Sequence, residues 1–231
     1  MNFYLSSLRF YSLFTLVVFL TACSLPKNTS EFTYAPLPAK EGELALSVAA
    51  MQAKHPGLTG VLPLTQGADA FATRLLLADN ATATLDVQYY IWRNDLTGNL
   101  LLASLKRAAN RGVKVRLLLD DYGVAGLDPE LATLNAHPNI SVRLWNPFQL
   151  RSFKNLAFTY DFFRLNSRMH NKSFTVDGVA SVLGGRNIGD EYFSTGPNPL
   201  FADLDVLVLG GATQAISEDF NRYWNSPSAY D

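Results

Sequence analysis

Cysteine occurs once in the 231 residues, at position 23, so no disulfide can form within the chain and a stapled fold is excluded. Charge is scarce and almost balanced: 19 Lys and Arg against 20 Asp and Glu leave a net −1. General nucleic-acid binders carry a basic excess, so nucleic acid is not expected as a partner. Histidine is also rare. Of three copies only His170 stands in an H-x-K pair, while His55 and His137 each precede a proline. No second H-x-K and no internal repeat is visible. The apolar run at 10–20 has 11 residues, well short of the roughly 20 needed to cross a bilayer as a helix.

What the sequence does hold is enough apolar material for a sizeable core: 48% hydrophobic residues and a mean hydropathy of +0.05. The length suits one domain of about 190 residues plus appendages. The spacing of apolar residues predicts helices over 44–54, stopped by Pro56-Gly57, and over 68–79, with Phe71, Leu75 and Leu76 on one face. A strand over 84–92 follows. A helix over 100–110 turns Leu101, Leu105, Ala108 and Ala109 inward and closes at Gly112. The nearly continuous apolar run 113–119 reads as a strand covered on both faces, so that 84–119 forms a right-handed βαβ unit. A short helix at 129–135, a strand at 140–144, a strand at 204–209 and a closing helix at 212–224 complete the pattern. The sum predicts an α/β domain of three layers, α/β/α, with a mixed, largely parallel sheet.

The stretch 168–193, RMHNKSFTVDGVASVLGGRNIGDEYF, carries the chemistry. Alternation along an extended chain puts the His170 imidazole and the Lys172 ammonium side by side on one surface. Ser173 to Val176 continues as a strand. Asp177-Gly178 is a two-residue hairpin signal, and 179–183 is the returning strand. Gly184-Gly185 lets the backbone approach a bound group, with Arg186 and Asn187 as donors just beyond. A nucleophile, a cation, bare backbone amides and a side-chain amide converging on one point suit a tetrahedral anion, which suggests phosphoryl transfer through a histidine.

H-x-K-x4-D-x6-G-G-x-N resembles the signature of the phospholipase D superfamily, in which the second glycine is commonly a serine; Gly185 lacks that hydroxyl. The blocks LDVQYYIW (85–92), RMHNKSFTVDG, GGRNIGDEYF and FADLDVLVLG (201–210) resemble the bacterial cardiolipin-synthase-like branch, and the similarity runs from about residue 44 to 231. The resemblance implies a phospholipase D-like catalytic domain over 44–231 that works without metal or other cofactor. It further implies a phosphohistidine at His170, charge neutralisation by Lys172, and phosphate contacts from Gly184, Gly185 and Asn187. Asp177 enters as a catalytic candidate or as a hairpin residue. Asp203 sits where related enzymes place an acid that orients the histidine, with Asp205 open as an alternative. Asp120-Asp121, at a strand end, reads as structural or rim, and a metal pair there is conceivable. Six basic residues between 151 and 186, against Asp161 and Asp177, form a local excess that could gather anionic headgroups.

The amino-terminal residues read as a targeting segment. Arg9, the short apolar run and Leu20-Thr21-Ala22-Cys23, which resembles a bacterial lipobox, predict a lipoprotein signal peptide over 1–22 and acylation of Cys23. Residues 23–43, with Pro26, Pro36 and Pro38 and no periodicity, read as the lipidated Cys and a flexible tether. Ser24 after the cysteine fits sorting to the outer membrane, facing the periplasm. The expected activity is phosphatidyl transfer or hydrolysis on a phosphatidylglycerol-like phospholipid. The alternatives are a phosphodiesterase or nuclease of the same chemistry and a catalytically incomplete lipoprotein. The superfamily reaction needs a second histidine, supplied either by a second copy of the chain or by the C-terminal half of a two-motif enzyme, of which this sequence resembles the N-terminal half.

Overall fold

A computed structural model of the chain describes residues 25–149, 151, 154–159, 161–193 and 203–231. The expected signal peptide over 1–22, Cys23 and Ser24 lie outside the described residues. In chain order the elements are α1 (Glu43–Lys54), β1 (Thr59–Leu64), α2 (Gly67–Asn80), β2 (Thr84–Ile91), α3 (Leu96–Asn110), β3 (Lys114–Gly123), α4 (Asp128–Asn135) and β4 (Ile140–Trp145). Then come two single-turn helices, α5 (Lys154–Ala157) and α6 (Phe162–Leu165), followed by β5 (Ser173–Val176), β6 (Ala180–Gly184), a 3-10 turn (Asp190–Tyr192), β7 (Asp205–Gly210), α7 (Thr213–Trp224) and β8 (Ala229–Tyr230). Asp95 caps α3 by accepting the Gly98 N–H at 2.9 Å.

All eight strands form one sheet in the order β1-β7-β6-β5-β2-β3-β4-β8. Consecutive leucines on β3 show that both faces are covered. Leu117 and Leu119 enter the main core with Leu101, Leu105 and Leu131, whereas Leu118 packs on the other side with Met169, Phe220 and Trp224. The three-layer α/β/α expectation therefore holds. Its "largely parallel" part is corrected: β2–β3 and β3–β4 are parallel, and the other five pairings are antiparallel. Parallel neighbours need a crossover, which α3 and α4 provide, while the turn at 177–179 reverses the chain between the antiparallel β5 and β6.

The hairpin forms where its sequence predicts. Asp177 (φ 54°) and Gly178 (φ 64°) both adopt positive φ, and the Val179 N–H closes the turn on Val176 O at 3.0 Å. On α2 the inward stripe is Ala70, Arg74, Leu77 and Ala78, and Leu76 faces out. The apolar pattern misses this because a buried arginine occupies the middle of the stripe.

The segment before α1 is irregular, as expected, but the expectation of a flexible tether over 23–43 is corrected across its described part. Asn28 Nδ2 donates to Ala229 O (2.7 Å), and Arg143 Nη2 donates to Glu31 O (2.9 Å). The Thr33 carbonyl accepts from Asn221 and Asn225, and the Ala39 N–H reaches Asp177 O at 2.8 Å. Side-chain amides and arginines thus satisfy an extended backbone that would otherwise be free, and residues 28–39 form a strap across the body.

Candidate active site

β5 begins opposite Gln88 of β2 and Leu183 of β6, and β7 starts beside Gly184. The residues leading into β5 therefore stand at the edge where β2, β3 and β4 all end, the edge at which open α/β sheets place their ligands. His170 and Lys172 lie in this lead-in, just ahead of the strand rather than within it. His170 is exposed and Lys172 is almost buried. The Lys172 ammonium donates to the His170 carbonyl at 2.8 Å and stands 3.2 Å from Nδ1 of the ring. Tyr90, at the end of β2, packs against the imidazole with ring centroids 4.8 Å apart. Partial burial, then the neighbouring ammonium, hold the His170 pKa below its ordinary value. Burial likewise lowers Lys172, opposed by the carboxylates of Asp203 and Asp205. The pair thus offers a neutral imidazole and a fixed cation at one exposed point, which suits attack on an anionic phosphorus centre.

The lead-in is held from behind. Met169 N–H and Arg168 Nη1 both donate to Asp120, at 2.8 and 3.0 Å, while Arg168 Nη2 reaches Asn146 O at 2.8 Å. Gln88 Nε2 lies 3.0 Å from the Met169 sulfur. Asp120 is fully buried, and burial, moderated by Arg168, raises its pKa to about 6. Of the neighbours of the His170 segment, sequence reasoning leaves Tyr90 unassigned and reads Asp120 as structural or rim with no link to His170. Their only signal is their place at the ends of β2 and β3.

Several expected site residues are placed elsewhere. Asp177 is corrected from a catalytic to a structural position: it sits at the far end of β5 from His170. Its buried carboxylate accepts four hydrogen bonds from Thr82, Ala83 and Thr84. The amides expected to be bare at Gly184-Gly185 are corrected too. The Gly185 N–H donates to Leu204 O at 3.1 Å, and the Arg186 N–H donates to Asp205 Oδ1 at 3.2 Å. The glycines instead make room for the approach to β7. A Cβ on Gly184 would stand 2.1 Å from Asp205 Oδ1, and one on Gly185 would stand 2.2 Å from Asp203 Oδ1.

The Arg186 guanidinium faces inward to the carbonyls of Leu64 and Thr65. Asp205 is buried against Arg74 at 2.9 Å and so is not available to the histidine. Asp203 makes no hydrogen bond to His170; it lies beside Gly185 and acts electrostatically on Lys172. Asn187 latches the end of β2, accepting the Ile91 N–H at 3.1 Å and donating to Tyr192 Oη at 3.1 Å. Asp121 holds Phe148 N–H, Arg151 and Lys154. The local basic excess is therefore largely taken up in internal pairs, Arg151 with Asp121 and Asp128, Arg164 with Asp161, and Arg168 with Asp120.

The histidine–lysine pair and the glycine pair lie within a stretch that matches a known family. Residues 76–224 match the family model described as "Cardiolipin synthase, PLD-like domain". The chain belongs to the phospholipase D superfamily. Within it, the chain is 55% identical over 181 residues to cardiolipin synthase C of Escherichia coli (strain K12), an alignment covering 78% of this chain and 38% of that protein. The chain thus spans well under half the length of this relative. Two solved structures are similar in fold at low identity. Phosphatidylserine synthase of Haemophilus influenzae Rd KW20 aligns with a TM-score of 0.58 at 15% identity, over 79% of this chain and 42% of that one. The phospholipase D family member Nuc of Salmonella typhimurium aligns with a TM-score of 0.52 at 20% identity, over 75% of this chain and 98% of that one. At such identities the two structures speak for the fold alone.

Proposed function

We propose that the chain catalyses phosphatidyl transfer, or hydrolysis, on phospholipids through a covalent phosphohistidine at His170. The observation that carries this reading is the exposed, largely neutral imidazole with the Lys172 ammonium 3.2 Å from its Nδ1. A phosphodiester docking here draws the Lys172 ammonium onto its non-bridging oxygens, where it offsets the negative charge that shifts in the transition state. The lone pair of the ring nitrogen forms a bond to phosphorus, and the P–O bond to the leaving alcohol breaks with its electron pair. A second lipid hydroxyl, or water, then attacks the adduct and returns the histidine.

The leaving alkoxide of a natural lipid needs a proton, help typically worth 10²- to 10⁴-fold. No second H-x-K is present in this sequence to supply it. We assign that role to the remaining length of a two-motif enzyme, in line with the 38% coverage of cardiolipin synthase C, with a second copy of the chain as the other source. Acylation at Cys23 and a place on the periplasmic side of the outer membrane belong to the same proposal. The net charge of −1 and the internal pairing of the basic residues weigh against a nucleic-acid substrate.

The test uses bis(p-nitrophenyl) phosphate, whose nitrophenolate leaves without a proton, so the first step can be read without the missing acid. Wild type should release about one nitrophenolate per chain and carry the remaining p-nitrophenyl phosphoryl group on His170, seen by mass spectrometry after alkaline quenching. His170→Ala should do neither. Adduct on another residue, or release unchanged in His170→Ala, sinks the reading.

A further inference from the structure

Both oxygens of Asp120 are occupied, and mostly by one short segment. Oδ2 accepts the Met169 N–H at 2.8 Å, and Oδ1 accepts Arg168 Nη1 at 3.0 Å and the Tyr122 N–H at 2.9 Å. Two of the three donors belong to the residues immediately before His170. No strand ladder does this work, because the pairing of β5 with β2 reaches only as far as Ser173. What keeps residues 168–170 against the end of β3 is therefore a single buried carboxylate. It is helped by Arg168 on Asn146 O and by the Met169 side chain, which packs with Leu118, Phe220 and Trp224.

We propose that Asp120 is a positioning residue, fixing the backbone from which the His170 imidazole projects and so setting the ring's approach to phosphorus. The proposal rests on the reading of His170 as the nucleophile. A carboxylate suits the task because it accepts on every side. An asparagine in its place would turn an NH₂ group toward either the Met169 N–H or the Arg168 guanidinium, setting donor against donor. Among the described residues the ring itself is steadied by Tyr90 and Lys172, so a shift of the backbone passes straight to it. A misplacement of about 1 Å at a reacting group can cost on the order of 10² in rate. Burial raises the Asp120 pKa to about 6 against the favourable charge of Arg168, with Asp121 adding to the rise. The fold thus keeps a carboxylate where its charge is costly, which a merely space-filling residue would not require.

Asp121 supplies the control. It is equally buried on the same strand, but it holds the Phe148 N–H, Arg151 and Lys154, away from the nucleophile's segment. The experiment measures single-turnover nitrophenolate release from bis(p-nitrophenyl) phosphate, with the saturating rate and the half-saturating concentration obtained separately. Asp120→Asn should lower the saturating rate at least tenfold per folded protein and leave the half-saturating concentration within about twofold. Asp121→Asn should lower the melting temperature while keeping the saturating rate. Should Asp120→Asn fail to fold, Arg168→Met, which removes one of the three donors, should lower the saturating rate severalfold.

A wild-type rate in Asp120→Asn, or in Arg168→Met where that variant decides, overturns the positioning role and leaves the nucleophile reading intact. Equal loss in Asp120→Asn and Asp121→Asn also overturns it, because the cause is then general loosening of the sheet edge. Absence of any adduct on His170 in wild type overturns the nucleophile reading itself.

Discussion

Lys172 acts on His170 in two ways that one substitution separates. In Lys172→Met the cation that helps hold the imidazole pKa down is gone. Attack needs the neutral ring, so the wild-type rate persists as pH falls below the ordinary histidine value and is lost only at the lowered pKa. In the variant the acid limb should move to higher pH, read by imidazole NMR titration and by the pH profile of nitrophenolate release. The pH-independent rate should also fall, by roughly 10² if Lys172 stabilises the transition state as one such donor does elsewhere. Asp177→Ala should behave in the opposite sense. It removes four hydrogen bonds to 82–84 and places alanine at φ 54°, a cost on the order of 3 kcal/mol seen in thermal melting. The rate per folded protein should be unchanged. At this scale the sequence was legible where neighbours in the chain are neighbours in space, as for His170 and Lys172. It left two readings of Asp177 open, and the fold favours the hairpin one, because an extended stretch of seven residues spans about 20 Å and carries the carboxylate to the other end of the sheet.

Among the elements, the start of β7 shows why Gly185 stands where a serine is common in the family. Gly185→Ser would press its Cβ against Asp203 Oδ1, 2.2 Å away, and should lower both stability and adduct formation. The double variant Gly185→Ser with Asp203→Ala opens that space and should recover a large part of the lost melting temperature, a non-additive pair in a mutant cycle. On α2, Arg74 is completely buried and ties Asp205 and Tyr89 together, at 2.9 and 2.8 Å. Arg74→Met should therefore destabilise by about 3 kcal/mol in chemical denaturation, the lower end for a broken buried pair, since Arg186 stays 3.7 Å from the same carboxylate.

The helices and the central strands followed from periodicity, and the hairpin from Asp177-Gly178. β1 did not. TGVLPL holds a proline, alternates poorly and exposes Val61 and Leu62, and only its pairing along β7 as an edge strand makes it a strand at all. The sheet's antiparallel majority was hidden for the same reason: which strands become neighbours is decided by long-range pairing, not by local pattern.

For the molecule as a whole, Asp120 gives stability a measurable dependence on pH. Its folded pKa of about 6 lies above the ordinary carboxylate value, so between roughly pH 4 and 6 the folded chain holds the proton more tightly than the unfolded one. Stability from this group is present at the acid end and declines as pH rises through that window, by on the order of 3 kcal/mol. Denaturation of wild type and Asp120→Asn at a series of pH values should show the stability of wild type relative to the variant falling as pH rises through that window; a difference independent of pH would refute this. A second whole-molecule property lies in the strap. Asn28 is fastened to Pro227 O and Ala229 O, and Ala229 pairs with Trp145 at the end of β4, on the same sheet edge as His170. Asn28 is five positions beyond Cys23, a reach of at most about 18 Å. An acyl group at Cys23 would therefore moor the protein by its bow on a short line: the reactive edge would be kept near the bilayer, and the opposite edge would ride away from it.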